Sequence, residues 1–499
     1  MDSSQALAKR FGNFDPRWLA LSVTTIGSFM SILDSTIVNI ALPSILRDFN
    51  IDLKNGQLVL TIYLLALAVV IPLSGFLAER VGMKRLYITT LICFTAGSLL
   101  CGFAWNLPSL VFFRALQGLG GGMLQPLGMA IVFTMITPLE RGRFMGMLGL
   151  PMLLAPIVGP TLGGYLVQYS SWRTIFLINL PIGLLNLVLA YWLLKEHPRK
   201  PEARLDVPGF ALALLAFPGI LLALSLGEEH GWGSPVTIGL GTVGVLALVA
   251  FALVEWRQPN PLLQLRLFQQ PMFALGMAIN FVTQFSLFGI QYILPLMLQT
   301  VHQLGAATTG LVLFPSGIFS FITMNLSGRI YNRVGPRILA SSGLAVLLAT
   351  TFLLGRTVAG TSLYLIGGLA AMRGLAMGLC MMPVQTAAYN TVARAEMPRA
   401  TALTNMLFRM FGAVSTTALT TILLLSLRLQ GAPQGGSVTS GNTPIPFLEG
   451  AFGHAFLAMS ILAAVGIAMS FFLHDKVLDD LRAGLGATPR PELTAAPAD

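Results

Sequence analysis

The sequence predicts an all-α polytopic membrane protein with about 14 transmembrane helices, arranged as two six-helix halves plus two inserted helices. Three observations carry that prediction. Hydrophobic residues make up 55% and charged residues 10% of the 499-residue chain, with a mean hydropathy of +0.76, far outside soluble globular usage. About 14 separate runs approach the roughly 20 apolar residues that a helix needs to cross hydrocarbon. A ten-residue pattern that follows the second run returns after the tenth, so the chain repeats itself.

The runs lie near 18–42, 57–78, 86–104, 108–135, 143–167, 173–194, 207–226, 235–255, 272–299, 307–330, 337–355, 361–388, 400–427 and 452–473. No small-residue cleavage site follows the first run, and it exceeds a signal peptide's apolar stretch, so it is expected to remain. Basic residues alternate sides. Lys9, Arg10, Arg17, Arg80, Lys84, Arg85, Arg141, Arg143 and most others gather on one side, against Arg47, Lys54, Arg173, Arg356 and Arg428 on the other. By the positive-inside rule both termini are then cytoplasmic. The segments expected are 1–17 as a cytoplasmic start, 18–194 as the first half, 195–271 as linkers with the two inserted helices, 272–475 as the second half and 476–499 as a cytoplasmic tail.

The first run contains Asp34. A charge at the centre of a span costs about 2.5–3.5 kcal/mol on insertion scales, so such a carboxylate either works or is held by a neighbouring helix. Its surroundings, Leu33-Asp34-Ser35-Thr36-Ile37-Val38-Asn39-Ile40-Ala41-Leu42-Pro43, resemble the first-helix signature of the fourteen-span drug:proton antiporters of the major facilitator superfamily, the EmrB/QacA-like group. After the second run comes Gly75-Phe76-Leu77-Ala78-Glu79-Arg80-Val81-Gly82-Met83-Lys84, followed by Arg85. Gly82 permits a tight reversal, and Arg80, Lys84 and Arg85 suit a helix carboxyl end facing an anionic leaflet. The same order is similar to the superfamily's loop between spans two and three, in which an acidic residue helps to latch the cytoplasmic gate. Here Glu79 replaces the usual Asp and Met83 a usual base. The returning pattern is Gly328-Arg329-Ile330-Tyr331-Asn332-Arg333-Val334-Gly335-Pro336-Arg337.

In the fourth run, Leu110-Val111-Phe112-Phe113-Arg114-Ala115-Leu116-Gln117-Gly118 holds a second buried charge. It resembles the superfamily motif associated with proton transfer. At about 1.5 Å per residue, Asp34 and Arg114 fall at similar heights in the outer half of the membrane. Burial and a neighbouring guanidinium act oppositely on a carboxylate's hold on its proton, so a conformational change can switch it. Gly118 and Gly122 recur as Gly374 and Gly378, small residues that let helices approach closely.

The fifth run carries Gly149, Pro151, Pro156, Gly159, Pro160, Gly163 and Gly164. Its prolines remove backbone donors and favour bending. The Gly-Pro-x-x-Gly-Gly ending looks like the superfamily's antiporter motif, implying roles for Gly149, Pro156, Gly159, Pro160, Gly163 and Gly164. Trp172 to Gly183 and Leu205-Asp206-Val207-Pro208-Gly209 extend the resemblance from about residue 18 to 475. The substrate cavity is expected from polar and basic residues in spans, namely Gln117, Gln125, Gln284, Gln291, Arg373, Gln385, Asn405 and Arg409. The 22 methionines add adaptable apolar surface, suited to varied lipophiles.

Other classes fit poorly. A net charge of +10 would suit nucleic acid only as a basic face on a soluble domain. The five histidines are scattered and no P-loop is present, so neither an enzyme nor ATP drive is expected. Cys93, Cys101 and Cys380 lie in apolar runs and read as packing. The resemblance therefore implies a proton-coupled antiporter that exports lipophilic drugs or toxic compounds across the bacterial inner membrane, without a cofactor or metal. Export of an endogenous lipid, siderophore or metabolite is the alternative. The implied partners are lipophilic small molecules, protons, the lipid bilayer and, in some relatives, a periplasmic adaptor protein. Residues 428–450 are expected to form a flexible external loop, and those after about 483 a disordered tail.

Overall fold

The computed structural model describes residues 15–51, 53–196, 202, 205–230, 232–258, 261–431, 444–475 and 478. Most of the expected 428–450 loop and all of the tail after 483 lie outside them. Among the described residues the chain is helical throughout. The first half comprises α1 (Pro16–Phe49), α2 (Leu53–Val81), α3 (Met83–Gly102), α4 (Leu107–Met135), α5 (Pro138–Leu148), α6 (Leu150–Tyr169), α7 (Thr174–Leu177) and α8 (Asn179–Leu193). The inserted pair is α9 (Val207–His230) and α10 (Pro235–Arg257). The second half comprises α11 (Pro271–Thr300), α12 (Ala306–Val334), α13 (Pro336–Leu354), α14 (Leu363–Asn390), α15 (Met397–Leu429) and α16 (Ile445–Ser470).

Among the described residues, thirteen helical stretches are long and apolar enough to cross a membrane. The fifth expected run supplies one more crossing as two helices, α5 and α6, which meet at Gly149. Pro151 stands in the first turn of α6, where its missing N–H ends the ladder from α5. The end of α2 also differs from expectation. Gly75 to Val81 are helical, and the reversal into α3 is Gly82 alone, at φ +101°. The repeat turns the same way at Gly335, φ +90°. These left-handed positions favour glycine, which explains why both copies of the pattern keep one.

Among the described residues, the halves share an apolar core at one end. One apolar cluster joins Phe76, Phe133 and Phe144 of the first half to Phe273, Met324 and Tyr389 of the second. It lies at the end that carries Pro16 and Asp475. Towards the opposite end, one cluster of the described residues stays in the second half, around Ile293 and Phe456, and another in the first, around Ile45 and Trp172. The inserted helices pack on each other, with Gly219 against Gly244. Only 22% of the α10 span is buried, against 78% for α4, so the pair sits at the periphery.

Close helix approach fixes α4 on α3. A Cβ on Gly97 would lie 2.7 Å from the Cα of Gln117, and overpacking of backbone against backbone costs about 1–3 kcal/mol. Gly97→Ala is therefore expected to lower the thermal unfolding midpoint of the detergent-purified protein. Gly239→Ala, in open space on α10, is expected to leave that midpoint unchanged.

Candidate functional site

Asp34 lies near the middle of α1 and is completely buried. Two helices aim three donors at it. Arg114 Nη1 of α4 lies 2.5 Å from Oδ2, while Gln117 Nε2 of α4 and Asn179 Nδ2 of α8 donate to Oδ1 at 2.8 and 3.1 Å. Arg114 and Gln117 are three residues apart, so one face of α4 presents both. Arg114 is itself anchored, donating through Nε to the Val59 carbonyl of α2 and through Nη1 to Gln117 Oε1, with its guanidinium 3.9 Å above the Tyr63 ring. Asn179 also donates to Ser98 of α3, and Cys101 Sγ of α3 approaches Gln117 Oε1 at 3.6 Å.

This packing gives the carboxylate a specific chemistry. Both oxygens accept N–H donors, and the negative charge is what holds the Arg114 guanidinium. Neutralising the carboxylate would remove that attraction and weaken the contact between α1 and α4. The charge pair offsets its own desolvation only while intact, since removing one partner of a buried pair costs about 3–5 kcal/mol.

At the terminus-bearing end, Glu79 on the last turns of α2 reaches Arg399 at the start of α15. Arg399 Nε lies 2.8 Å from Oε1, and Nη2 donates to Oε2 at 2.9 Å. Both side chains are about 90% buried. Gly75, one turn earlier, lets the helices touch, since a Cβ there would lie 2.9 Å from the Cα of Arg399. The repeat forms a matching contact in the other direction. Asn332, the counterpart of Glu79, donates to the Leu139 carbonyl at 2.9 Å, and Gly142 packs against Gly328. Buried Arg141 donates to the Tyr389 carbonyl and to Asn390 Oδ1. Asn390 and Tyr331 in turn donate to Asp475 at 2.7 and 2.6 Å. The two copies therefore differ at this position, since Glu79 pairs with a guanidinium and Asn332 donates to a backbone carbonyl.

The remaining expected gate cations serve local contacts. Lys84 Nζ donates to the Tyr191 carbonyl at 2.7 Å, Arg85 lies 3.5 Å from Glu196, and exposed Arg80 sits 5.9 Å from the centre of the Phe76 ring. In α6, Gly159 and Gly163 face Thr36 and Ile37 of α1, whereas Gly164 has open space and Gly149 faces Met324 of α12. Pro156 and Pro160 are within α6.

The expected cavity residues divide by exposure. Gln117 belongs to the Asp34 cluster. Gln125 and Arg409 are half-buried and Gln291 is exposed, with Arg409 within electrostatic reach of Tyr63 in the other half. Asn405 and Gln385 are buried, and Asn405 Nδ2 meets Met129 Sδ across the halves at 3.5 Å. Gln284 is fully buried with neither amide atom bonded. Arg373 is buried and donates to the Ser286 carbonyl and, at 2.7 Å, to its Oγ. An apolar crevice of about 480 Å³, lined by Phe268, Met277, Phe281, Leu407, Phe411 and Met469 among others, contains none of the expected residues. Asp206 and Glu255 accept backbone N–H groups of Gly209, Leu262 and Leu263. Among the described residues, no cluster of three His, Cys, Asp or Glu could hold a metal ion.

Sequence reading named neither Arg399 nor Arg141 as partners of the gate, and did not single out Asp475. The available signal was the repeat itself, since Arg141 and Arg399 open equivalent spans.

Comparison with known proteins gives a consistent result. The model of the Major Facilitator Superfamily matches residues 24–417. An uncharacterised MFS-type transporter, YcnB, from Bacillus subtilis (strain 168) is 34% identical over 92% of this chain and 95% of its own. The multidrug resistance protein B homolog of Mycobacterium tuberculosis (strain ATCC 25618 / H37Rv) is 34% identical over 81% of this chain and 75% of its own. The lincomycin resistance protein LmrB of Listeria innocua is 30% identical over 89% and 94%. Among solved structures, the human organic anion transporter MFSD10 superposes with a TM-score of 0.65 at 16% identity, covering 92% of this chain and all of that one. That likeness concerns the fold alone.

Proposed function

The chain belongs to the Major Facilitator Superfamily, and on that premise we propose that it is a proton-coupled antiporter exporting lipophilic compounds across a bacterial cytoplasmic membrane, with both termini cytoplasmic. The observation that carries this reading is the Asp34 carboxylate, enclosed by Arg114, Gln117 and Asn179 with every oxygen bonded. Neutralising a group so placed weakens the contact between its helices, which is what coupling requires. Its likeness to a multidrug resistance protein B homolog and to a lincomycin resistance protein supports the cargo class.

With cytoplasmic termini, the shared core and the Glu79–Arg399 pair close the cytoplasmic side, and the state described is outward-facing. Proton binding at Asp34 from outside then releases Arg114 and favours the opposite state. In that state substrate enters from the cytoplasm as the proton leaves.

Transport into proteoliposomes under an imposed pH gradient, with cationic, neutral and anionic lipophiles, tests the proposal. Accumulation that collapses with the pH gradient is expected, and gradient-independent uptake of every compound overturns it. A further expectation concerns charge. Among the described residues Asp34 is the one fully buried acid on the helices of the two halves, so each extra cationic charge on a substrate lacks a buried partner. Expression in an efflux-deficient bacterium should protect well against monovalent dyes and poorly against divalent dyes of matched lipophilicity. Equal protection would contradict it.

A further inference from the structure

The two halves repeat one buried contact with different chemistry. In the first half, Gln117 immediately precedes the small-residue pair Gly118 and Gly122 on α4, and its amide donates to the Asp34 carboxylate of α1. In the second half, Arg373 immediately precedes Gly374 and Gly378 on α14, and donates to Ser286 of α11, the equivalent first helix. Asp34 and Ser286 are 252 residues apart, within one residue of the 253 that separate Gly75 and Gly328 (286 − 34 and 328 − 75). Ser286 is thus the first-helix residue bonded by the side chain that precedes the glycine pair, as Asp34 is in the first half.

At this contact the second half therefore has a stronger carboxylate donor and, among the described residues, no carboxylate. Arg373 is 5% exposed, its Nε finds no acceptor, and no acidic side chain among the described residues lies within ion-pair distance of it. On the same first helix, all four amide atoms of fully buried Asn280 and Gln284 also lack partners. A buried guanidinium held only by a neutral hydroxyl and a carbonyl is costly, and planar N–H pairs are well matched to carboxylates.

We propose that Arg373 and Ser286 form an anion site that takes a monovalent anion, either the carboxylate of an acidic lipophilic substrate or chloride. Ser286 Oγ and the free Nε supply the polar contacts, and the bound anion provides the counter-charge that Asp34 provides in the first half. As a substrate site this deepens the transport reading given above. As a binding site it stands without any pH gradient.

The test is ligand-induced thermal stabilisation of the full-length protein in neutral detergent, with gluconate as the inert anion. Sodium chloride forms one arm. A medium-chain fatty carboxylate against its primary amide forms the other. Wild type is expected to be stabilised by chloride, by the carboxylate or by both, with the amide at least tenfold weaker than the carboxylate if the site takes substrate. Arg373→Gln should lose the response, and Arg373→Lys should keep a weakened one, which a merely structural role would not separate. Chloride alone acting assigns an inorganic counter-ion, and carboxylate alone assigns a substrate group. No stabilisation of wild type by either anion, or an undiminished response in Arg373→Gln, overturns the site. Neither outcome depends on proton coupling, which is read separately in proteoliposomes.

Discussion

Asp34→Asn is expected to abolish substrate accumulation driven by a pH gradient while leaving exchange of labelled for unlabelled substrate across vesicles without a gradient. Asparagine retains the shape and can still meet Gln117 and Asn179, but it cannot carry a proton. The exchange measurement separates loss of coupling from loss of fold, which matters because Arg114 is left as a buried cation without its partner, at about 3–5 kcal/mol. Gradient-driven accumulation at the wild-type rate would remove Asp34 from the mechanism. Arg114→Gln acts on the same step from the other side. It leaves the carboxylate buried without its cation, so gradient-driven accumulation is expected to fall while gradient-free exchange persists. Accumulation at the wild-type rate would show that the 2.5 Å contact has no part in coupling.

The second large effect is expected at the Glu79–Arg399 pair. Hydrogen bonds to charged groups contribute about 1.5–3 kcal/mol, and removing about 2 kcal/mol shifts a two-state balance by roughly thirtyfold. Glu79→Gln should therefore open the terminus-bearing end, and so should Arg399→Gln. A cysteine at buried Met324, in a background without native cysteines, reports the opening through its reaction with a membrane-impermeant maleimide applied from that side. Glu79→Asp should label slowly, as the unsubstituted gate does, and the double exchange Glu79→Arg with Arg399→Glu should recover much of the protection. Equal labelling in all four would reduce Glu79 to an ordinary charge. The matching contact through Asn332 is neutral, so Asn332→Ala is expected to open the gate less than Glu79→Gln.

Both predictions rest on contacts between residues far apart in the chain, and they differ in how visible each was beforehand. Asp34 and Arg114 stood out because a bilayer penalises isolated charge, leaving few reasons for either to be in a span. Glu79 was conspicuous through its place in the repeated pattern. Arg399 was not, because it opens a span among many cations and the positive-inside bias accounts for all of them alike. The helical character of Gly75 to Val81 was hidden for a related reason. Its charges suggested a loop, while the helix continues because its carboxyl end tolerates cations and Gly82 alone supplies the turn.

The sequence by itself determined the helical class, the approximate span limits, the two-half repeat and the presence of a carboxylate and a guanidinium at similar depth. These follow from local quantities, namely hydropathy over a window, the cost of a buried charge and the fixed rise of a helix. Only the tertiary structure decided that Asn179 completes the Asp34 cluster, that Glu79 meets Arg399 from 320 residues away, and that Arg373 meets Ser286 where the other half has Asp34. It also decided at which end the halves share their core. Hydropathy carries no such information, because a side chain that faces lipid and one that faces another helix can be equally apolar, and a polar side chain's partner is set by how helices cross.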